Sequence, residues 1–334
     1  MNTLKNTTAG YWEERRTRRG RRSMNNRRVV TLEGYYRRKS SSRQKTKTRK
    51  YQPMNCSPVV NKISVKNSCY TPKILFMIRD AYNKDHDAKD KIEETDPEKL
   101  WKQLNARFVQ CRKEDCWLNE IKDAALKKRI DRYIFSPDKP YEWKSNPNEW
   151  LSNFDIMNVL EQYEQTYKHF EFIGPTPIDF DKVVNGSCIQ NELCNFDLQN
   201  HIKKGKTQIG VIFNLSPHTS SGSHWVSLYI DTKERIIFYF DSAGESIPAE
   251  IKAFVDRVQT QAPVKYTFHE NSPKEHQMGN TECGVYSLFF IITMLTGTHT
   301  TRSRMNMRQK IRLFKRHTIP DKYIEKYRNV YFND

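Results

Sequence analysis

The chain has 334 residues, 37% of them hydrophobic, which is enough to bury a core in one large domain or two smaller ones. Its net charge of +18 is lopsided: residues 1–50 hold 17 Lys or Arg against three acids (Glu13, Glu14 and Glu33), so they carry +14 and leave +4 for the other 284. This excludes a folded domain with a strongly basic surface of its own and assigns the basic character to an appendage, suited to nucleic acid, an anionic membrane or an acidic protein.

Residues 1–50 are expected to form a disordered basic tail. The run Arg15-Arg16-Thr17-Arg18-Arg19-Gly20-Arg21-Arg22 repels itself and has nothing to bury. Met1–Gly10 lacks the apolar stretch of a signal peptide. Residues 51–105 read as a helical arm or extension. Pro72 suits a first helical turn, and Ile74, Leu75, Ile78, Ala81 and Tyr82 recur near the helical period. A second helix is expected to start near Pro97.

Residues 106–334 form the main domain. A helix is predicted over Glu120–Arg132, and another is capped by Ser152 or Asn153, with Asp155 in its first turn. Phe170–Phe180 reads as a loop or edge strand, because Gly174, Pro175 and Pro177 interrupt it. Strands are predicted over Thr207–Leu215, Trp225–Ile230, Ile236–Phe240 and Val264–Phe268. A turn lies at Asp231–Glu234 and a helix over Ile251–Val258. In Trp225–Ile230 the alternation puts Val226, Leu228 and Ile230 on one face and Trp225, Ser227 and Tyr229 on the other. Cys283–Leu295 reads as a buried helix, and Val285–Leu295 is too short to span a bilayer. Amphipathic helices over Met305–Phe314 and Asp321–Tyr331 close the chain. Helices first, then a mixed sheet, then helices predict an α+β fold.

The seven cysteines lie at 56, 69, 111, 116, 188, 194 and 283, with no CxxC pair and no zinc pattern. The count suggests free thiols in a reducing compartment. No metal site is expected.

Four residues stand where predicted elements begin or end. His224 precedes a strand, Asp241 follows one, Gln277 lies in a polar loop, and Cys283 opens an apolar helix. A thiol at a helix N-terminus gains thiolate character, an imidazole beside it supplies the base, and a carboxylate orients the ring. A Gln amide can donate to a developing oxyanion. Gly284 would leave room for a substrate backbone near the thiol. The bland reading makes Cys283 a small buried residue and His224 a loop partner.

With Trp225 and the run Thr281-Glu282-Cys283-Gly284-Val285-Tyr286, these residues resemble the adenain/Ulp1-like cysteine peptidases, including those of large cytoplasmic DNA viruses. The order His, Asp, Gln, Cys with separations of 17, 36 and 6 is similar to the family's. So is Trp117-Leu118-Asn119-Glu120 to its Trp-Leu-Asn-Asp stretch. Glu282 and Glu120 stand where the family has Asp. The resemblance implies a papain-related protease fold with an N-terminal arm, over roughly Phe108–Phe332, and a thiol endopeptidase cutting after Gly-Gly sites. In that reading His224 is the base, Asp241 its orienter, Gln277 the oxyanion donor and Cys283 the nucleophile. Trp225 and Trp117 are the walls of a narrow substrate cleft.

The substrate is expected to be a viral structural polyprotein cut during virion maturation, with ubiquitin-like conjugates as the alternative. The setting would be the virion and the viral factory in the host cytoplasm. No cofactor is required. DNA enters only as a tether or activator acting through residues 1–50. A non-enzymatic nucleic-acid-binding packaging protein is the competing class, motivated by that tail alone.

Overall fold

The computed structural model describes residues 52–60, 63–298 and 304–334. The expected basic tail lies outside them. The described residues fall in one compact unit.

The arm opens with helices α1 (Pro72–Lys84) and α2 (Pro97–Arg107), each with proline in its first turn. The Thr71 side chain caps α1, and Asp96 caps α2 by accepting from the Lys99 amide at 2.9 Å. Helix α3 spans Ala124–Ile134, four residues later than the sequence predicts at its start. Residues 114–120 instead form a 3₁₀ turn, and the Asp123 side chain sets the new N-terminus by accepting from Leu126 at 3.0 Å. The arm's apolar faces do not stop at the expected boundary after residue 105. One buried cluster joins Leu75, Ile78, Leu100 and Leu104 to Trp117, Leu118, Ile130 and Phe135. The C-terminus straps the arm down: the Asn333 side chain accepts from the Asn55 amide at 2.7 Å and donates to the Ser136 carbonyl at 2.9 Å.

Helix α4 (Asn153–Thr166) starts with a full capping box between Ser152 and Asp155. Strand β1 (Phe170–Pro177) follows, then a small hairpin, β2 (Val183–Val184) and β3 (Ser187–Cys188), and short helices α5 (Asn191–Cys194) and α6 (Leu198–Lys203). The hairpin and short helices are too brief to leave a readable period in the sequence. Strands β4 (Gln208–Asn214), β5 (Trp225–Asp231) and β6 (Ile236–Phe240) match their predicted positions. Helix α7 covers Ala249–Gln261, and β7 is Thr267–Glu270, shifted along the chain from its expected place. The last helices are α8 (Cys283–Thr296), α9 (Met307–Arg316) and α10 (Asp321–Tyr331).

The sheet order is β1-β4-β5-β6-β7, with β1 parallel to β4, β6 parallel to β7, and antiparallel pairs between. The fold is α+β with a mixed central sheet, and β1 is an edge strand. Helices cover both faces. Val226, Leu228 and Ile230 of β5 face the cluster of α7, while Trp225 and Tyr229 face α8. The predicted alternation holds, but every residue of β5 is buried because both faces are covered. All fourteen residues of α8 are buried, so this helix is the axis of the core.

Six of the seven cysteines are paired, which corrects the expectation of free thiols. Cys56–Cys69, Cys111–Cys116 and Cys188–Cys194 bring their Cα atoms to 5.1, 5.5 and 6.3 Å. The turns between these residues create pairs that no CxxC pattern announces. Cys283 is the free thiol, and it is buried. Among the described residues no His, Cys, Asp and Glu cluster could hold a metal, and no helix is long and apolar enough to cross a membrane.

Candidate active site

The antiparallel pairing of β5 and β6, with Ser227 opposite Phe240, puts the start of one strand beside the end of the other. His224 lies one residue before β5 and Asp241 one residue after β6, so the pairing itself brings them together. His224 Nε2–H donates to Asp241 Oδ1 at 2.7 Å. Asp241 is buried. Its carboxylate also accepts from the Ala243 amide at 2.8 Å, and its backbone is gripped at both ends by the Asn271 side chain, at 2.9 and 2.7 Å. Asn271 is a supporting residue that no sequence pattern marked.

Cys283 lies close enough to the His224 ring to favour its protonated form. Burial works against charge on the imidazole, but the bonds and charges of Asp241 and Cys283 outweigh it and raise its pKa to about 10. The ring is therefore an imidazolium at neutral pH. Cys283 is the first residue of α8, where the leading N–H groups have no partner within the helix. A charged imidazolium against a thiol at a helix N-terminus is an arrangement competent for nucleophilic attack and proton return.

Gln277 is packed against the loop that carries Asp241. Its Oε1 accepts from the Ser242 hydroxyl at 2.8 Å, and its Nε2 donates to the Gly279 carbonyl at 2.9 Å. One amide hydrogen remains for another acceptor. The preceding His276 is neutral: burial, aided by Lys274 and opposed by the bond to Phe314, lowers its pKa to about 4. Its Nε2–H donates to the Phe314 carbonyl at 2.9 Å and its Nδ1 accepts from the Ile319 amide at 3.2 Å. On the far side of Gln277, Asp321 Oδ2 accepts from the Met278 and Gly279 amides at 3.0 and 2.8 Å. The loop before the nucleophile is thus tied down on both sides of Gln277.

Residues 199–328, which include the whole constellation, match the Ulp1 protease family, C-terminal catalytic domain. Over that stretch the chain is similar to the Ulp1-family catalytic domain. A putative thiol protease of Acanthamoeba polyphaga mimivirus is 34% identical over 162 residues, covering 47% of this chain and 51% of that protein, so the chain spans about half the length of this relative. A SUMO-1 cysteine protease of African swine fever virus is 27% identical over 227 residues, covering 61% of this chain and 82% of that protein. The crystal structure of an ASFV protease has the same fold, with a TM-score of 0.56 at 22% identity, covering 85% of this chain and 97% of that one.

Trp225 is 8% exposed, and its indole N–H donates to the Leu151 carbonyl at 3.0 Å. Gly284 has a different role from the one its sequence suggests. A Cβ there would meet Leu151 at 3.0 Å and Trp225 at 3.3 Å, so the missing side chain admits the protein's own Leu151 and Trp225 rather than a substrate backbone.

Trp117 is not brought to this site. It is 1% exposed in the arm's cluster, its ring centroid 5.5 Å from those of Tyr70 and Phe108 and 5.8 Å from that of Trp101. Its expected role as a cleft wall is corrected to core packing. Trp150, beside Leu151 in the chain, is 38% exposed, and Leu151 itself touches both Trp225 and Gly284. Trp150-Leu151-Ser152-Asn153 is a second Trp-Leu pair followed by Asn, set against the correctly read cap at Ser152.

Proposed function

We propose that the protein is a cysteine endopeptidase that cleaves after Gly-Gly sites and that its substrates are viral structural polyproteins. The observation that carries the reading is His224, bonded to the Asp241 carboxylate and kept protonated by Asp241 and Cys283, with Cys283 at the head of α8. Cys283 thiolate attacks the glycyl carbonyl carbon, and the oxyanion draws on the α8 amides and the spare Gln277 hydrogen. The C–N bond breaks as the imidazolium protonates the leaving amine, leaving a thioester. Water, deprotonated by His224, then attacks the thioester; the acid product departs and the thiolate–imidazolium pair returns. No metal or organic cofactor enters any step.

Glycine specificity rests on the crowding around the thiol. Cys283 is 1% exposed, and Trp225 and Leu151 crowd the residue beside it. With Trp150 as the second wall, a β-carbon at the residue before the scissile bond would push the carbonyl away from sulfur, and a shift of about 1 Å costs roughly a hundredfold in rate. Peptides with Gly-Gly before the cut are expected to exceed Gly-Ala peptides in kcat/KM by about that factor. Trp150→Ala should narrow the gap. Efficient cleavage after bulky residues would defeat the reading.

Virion maturation, in the virion and the viral factory, is the proposed setting of that cleavage. Removal of ubiquitin-like modifiers is the second reading, supported by the African swine fever virus relative's name. A short Gly-Gly peptide and a folded ubiquitin-like precursor with the same junction separate the two. Comparable kcat/KM supports polyprotein processing, whereas strong preference for the folded precursor supports deconjugation.

The basic tail is proposed as a tether to nucleic acid rather than an activator. A chain starting at Tyr51 should lose at least about tenfold in DNA affinity at low salt while hydrolysing peptides at an unchanged rate. Filter binding that shows full affinity after truncation would move the nucleic-acid surface into the folded unit. A lost peptidase rate restored by DNA to the full chain alone would make the tail an activator.

A further inference from the structure

We propose that Arg328 is a positioning residue for Cys283, acting through Glu282. The proposal rests on the thiol protease reading above and adds a residue to it. Glu282 is the N-cap of α8, yet its side chain does not cap the helix. It turns instead to α10, where its two carboxylate oxygens accept from Arg328 Nε at 3.0 and 2.9 Å, and Nη2 lies 2.9 Å from Oε1. Both residues are buried, at 2% and 4% exposure.

The rest of the guanidinium is spent on backbone. Nη1 donates to the Glu149 carbonyl at 2.7 Å, and Nη2 donates to the Thr281 carbonyl at 3.1 Å. Longer contacts reach the carbonyls of Pro147 and Asn148, both at 3.4 Å. The guanidinium carbon stacks 4.4 Å from the centre of the Trp143 ring. One side chain therefore binds the two residues before the nucleophile and the 147–149 segment. That segment runs directly into Leu151, whose carbonyl holds Trp225, the neighbour of His224. Both sides of the thiol–imidazole pair are set from a single point.

Two physical arguments make this more than packing. Taking both charges out of water is costly, and a hydrophobic pair of similar volume is often as stable or more so, so stability alone does not account for the ion pair. What the guanidinium supplies is a planar fork with five donors in fixed geometry, which a flexible ammonium cannot reproduce. Charge is the second argument. A carboxylate directly before the nucleophile opposes negative charge on sulfur, and Arg328 neutralises it. The Glu that stands before the nucleophile is long enough to reach α10.

The test uses the full chain with Arg328→Lys and Glu282→Asp. The first keeps the charge but loses the fork; the second keeps both charges and withdraws the carboxylate by one methylene. Thermal unfolding and near-ultraviolet circular dichroism check the fold. Active sites are titrated, and kcat and KM on a Gly-Gly peptide are expressed per titrated thiol. Each variant is expected to lose kcat by about 30- to 100-fold with KM within about threefold, the signature of misplaced reacting groups. Alkylation of Cys283 by iodoacetamide should slow by about tenfold, because the sulfur is no longer held in place beside His224 at the head of α8. Wild-type turnover per titrated site and wild-type alkylation in folded variants would overturn the proposal and leave Arg328 a purely structural residue. Should Arg328→Lys fail to fold, Glu282→Asp carries the same comparison. The alkylation rate needs no substrate, so a wild-type chain that ignores Gly-Gly peptides would count against the cleavage reading while the comparison of Cys283 reactivity still decides this one.

Discussion

Cys283→Ala is expected to abolish peptide cleavage, by about 10⁴-fold or more, because the covalent route is lost and no neighbouring group can replace the sulfur. The fold should survive. Alanine suits a first helical turn, and the thirteen other residues that bury α8 are untouched. The pairing of the six remaining cysteines sharpens the test. Protein purified without reductant should take up one iodoacetamide per chain, at Cys283, and the variant should take up none. Cleavage that persists in a folded Cys283→Ala chain would remove Cys283 from the chemistry.

Asp241→Asn is expected to lower kcat/KM by about 10²- to 10⁴-fold, since an amide at this position holds the imidazole in the wrong state and withdraws the charge that favours the cation. The pH profile gives a more specific readout than the rate. In the wild type, His224 keeps its proton until pH approaches about 10, so the proton needed by the leaving amine is lost only above that value. Without the carboxylate the alkaline limb should move to lower pH. Stability should follow the same sign. A folded value raised above the ordinary 6.5 contributes in full below about pH 6.5 and is lost as pH rises toward about 10. The difference in unfolding temperature between wild type and Asp241→Asn should therefore shrink between pH 6 and pH 10. An unmoved alkaline limb would mean that Asp241 does not govern the imidazole.

Much of this protein was legible as pattern. The β5 alternation, the β6 limits, the Ser152 cap and the apolar run after Cys283 depend on neighbours within a few residues, and local periodicity carries that information. The chemical types at His224, Asp241 and Cys283 were legible for the same reason, since each sits at the end of an element whose limits could be read.

What required the tertiary structure was every relation across the chain. Trp117 and Trp150 each stand in a Trp-Leu pair followed by Asn within two or three residues, and only packing separates them. Trp117 is captured by Tyr70, Trp101 and Phe108 of the arm's cluster, whereas Trp150 adjoins the carbonyl that holds Trp225. Gly284 looked like space for a substrate until α4's approach filled it with Leu151. The cysteines looked free because their partners lie across turns rather than at a signature spacing. Arg328 is one basic residue on an amphipathic helix until α10 docks on α8 and buries it against Glu282, 46 positions away. The sequence determined which elements form and which reactive groups stand at their ends, because those follow from local preference and period. The tertiary structure decided which groups meet, because contact between distant residues depends on how buried faces pair, and no local pattern encodes that pairing.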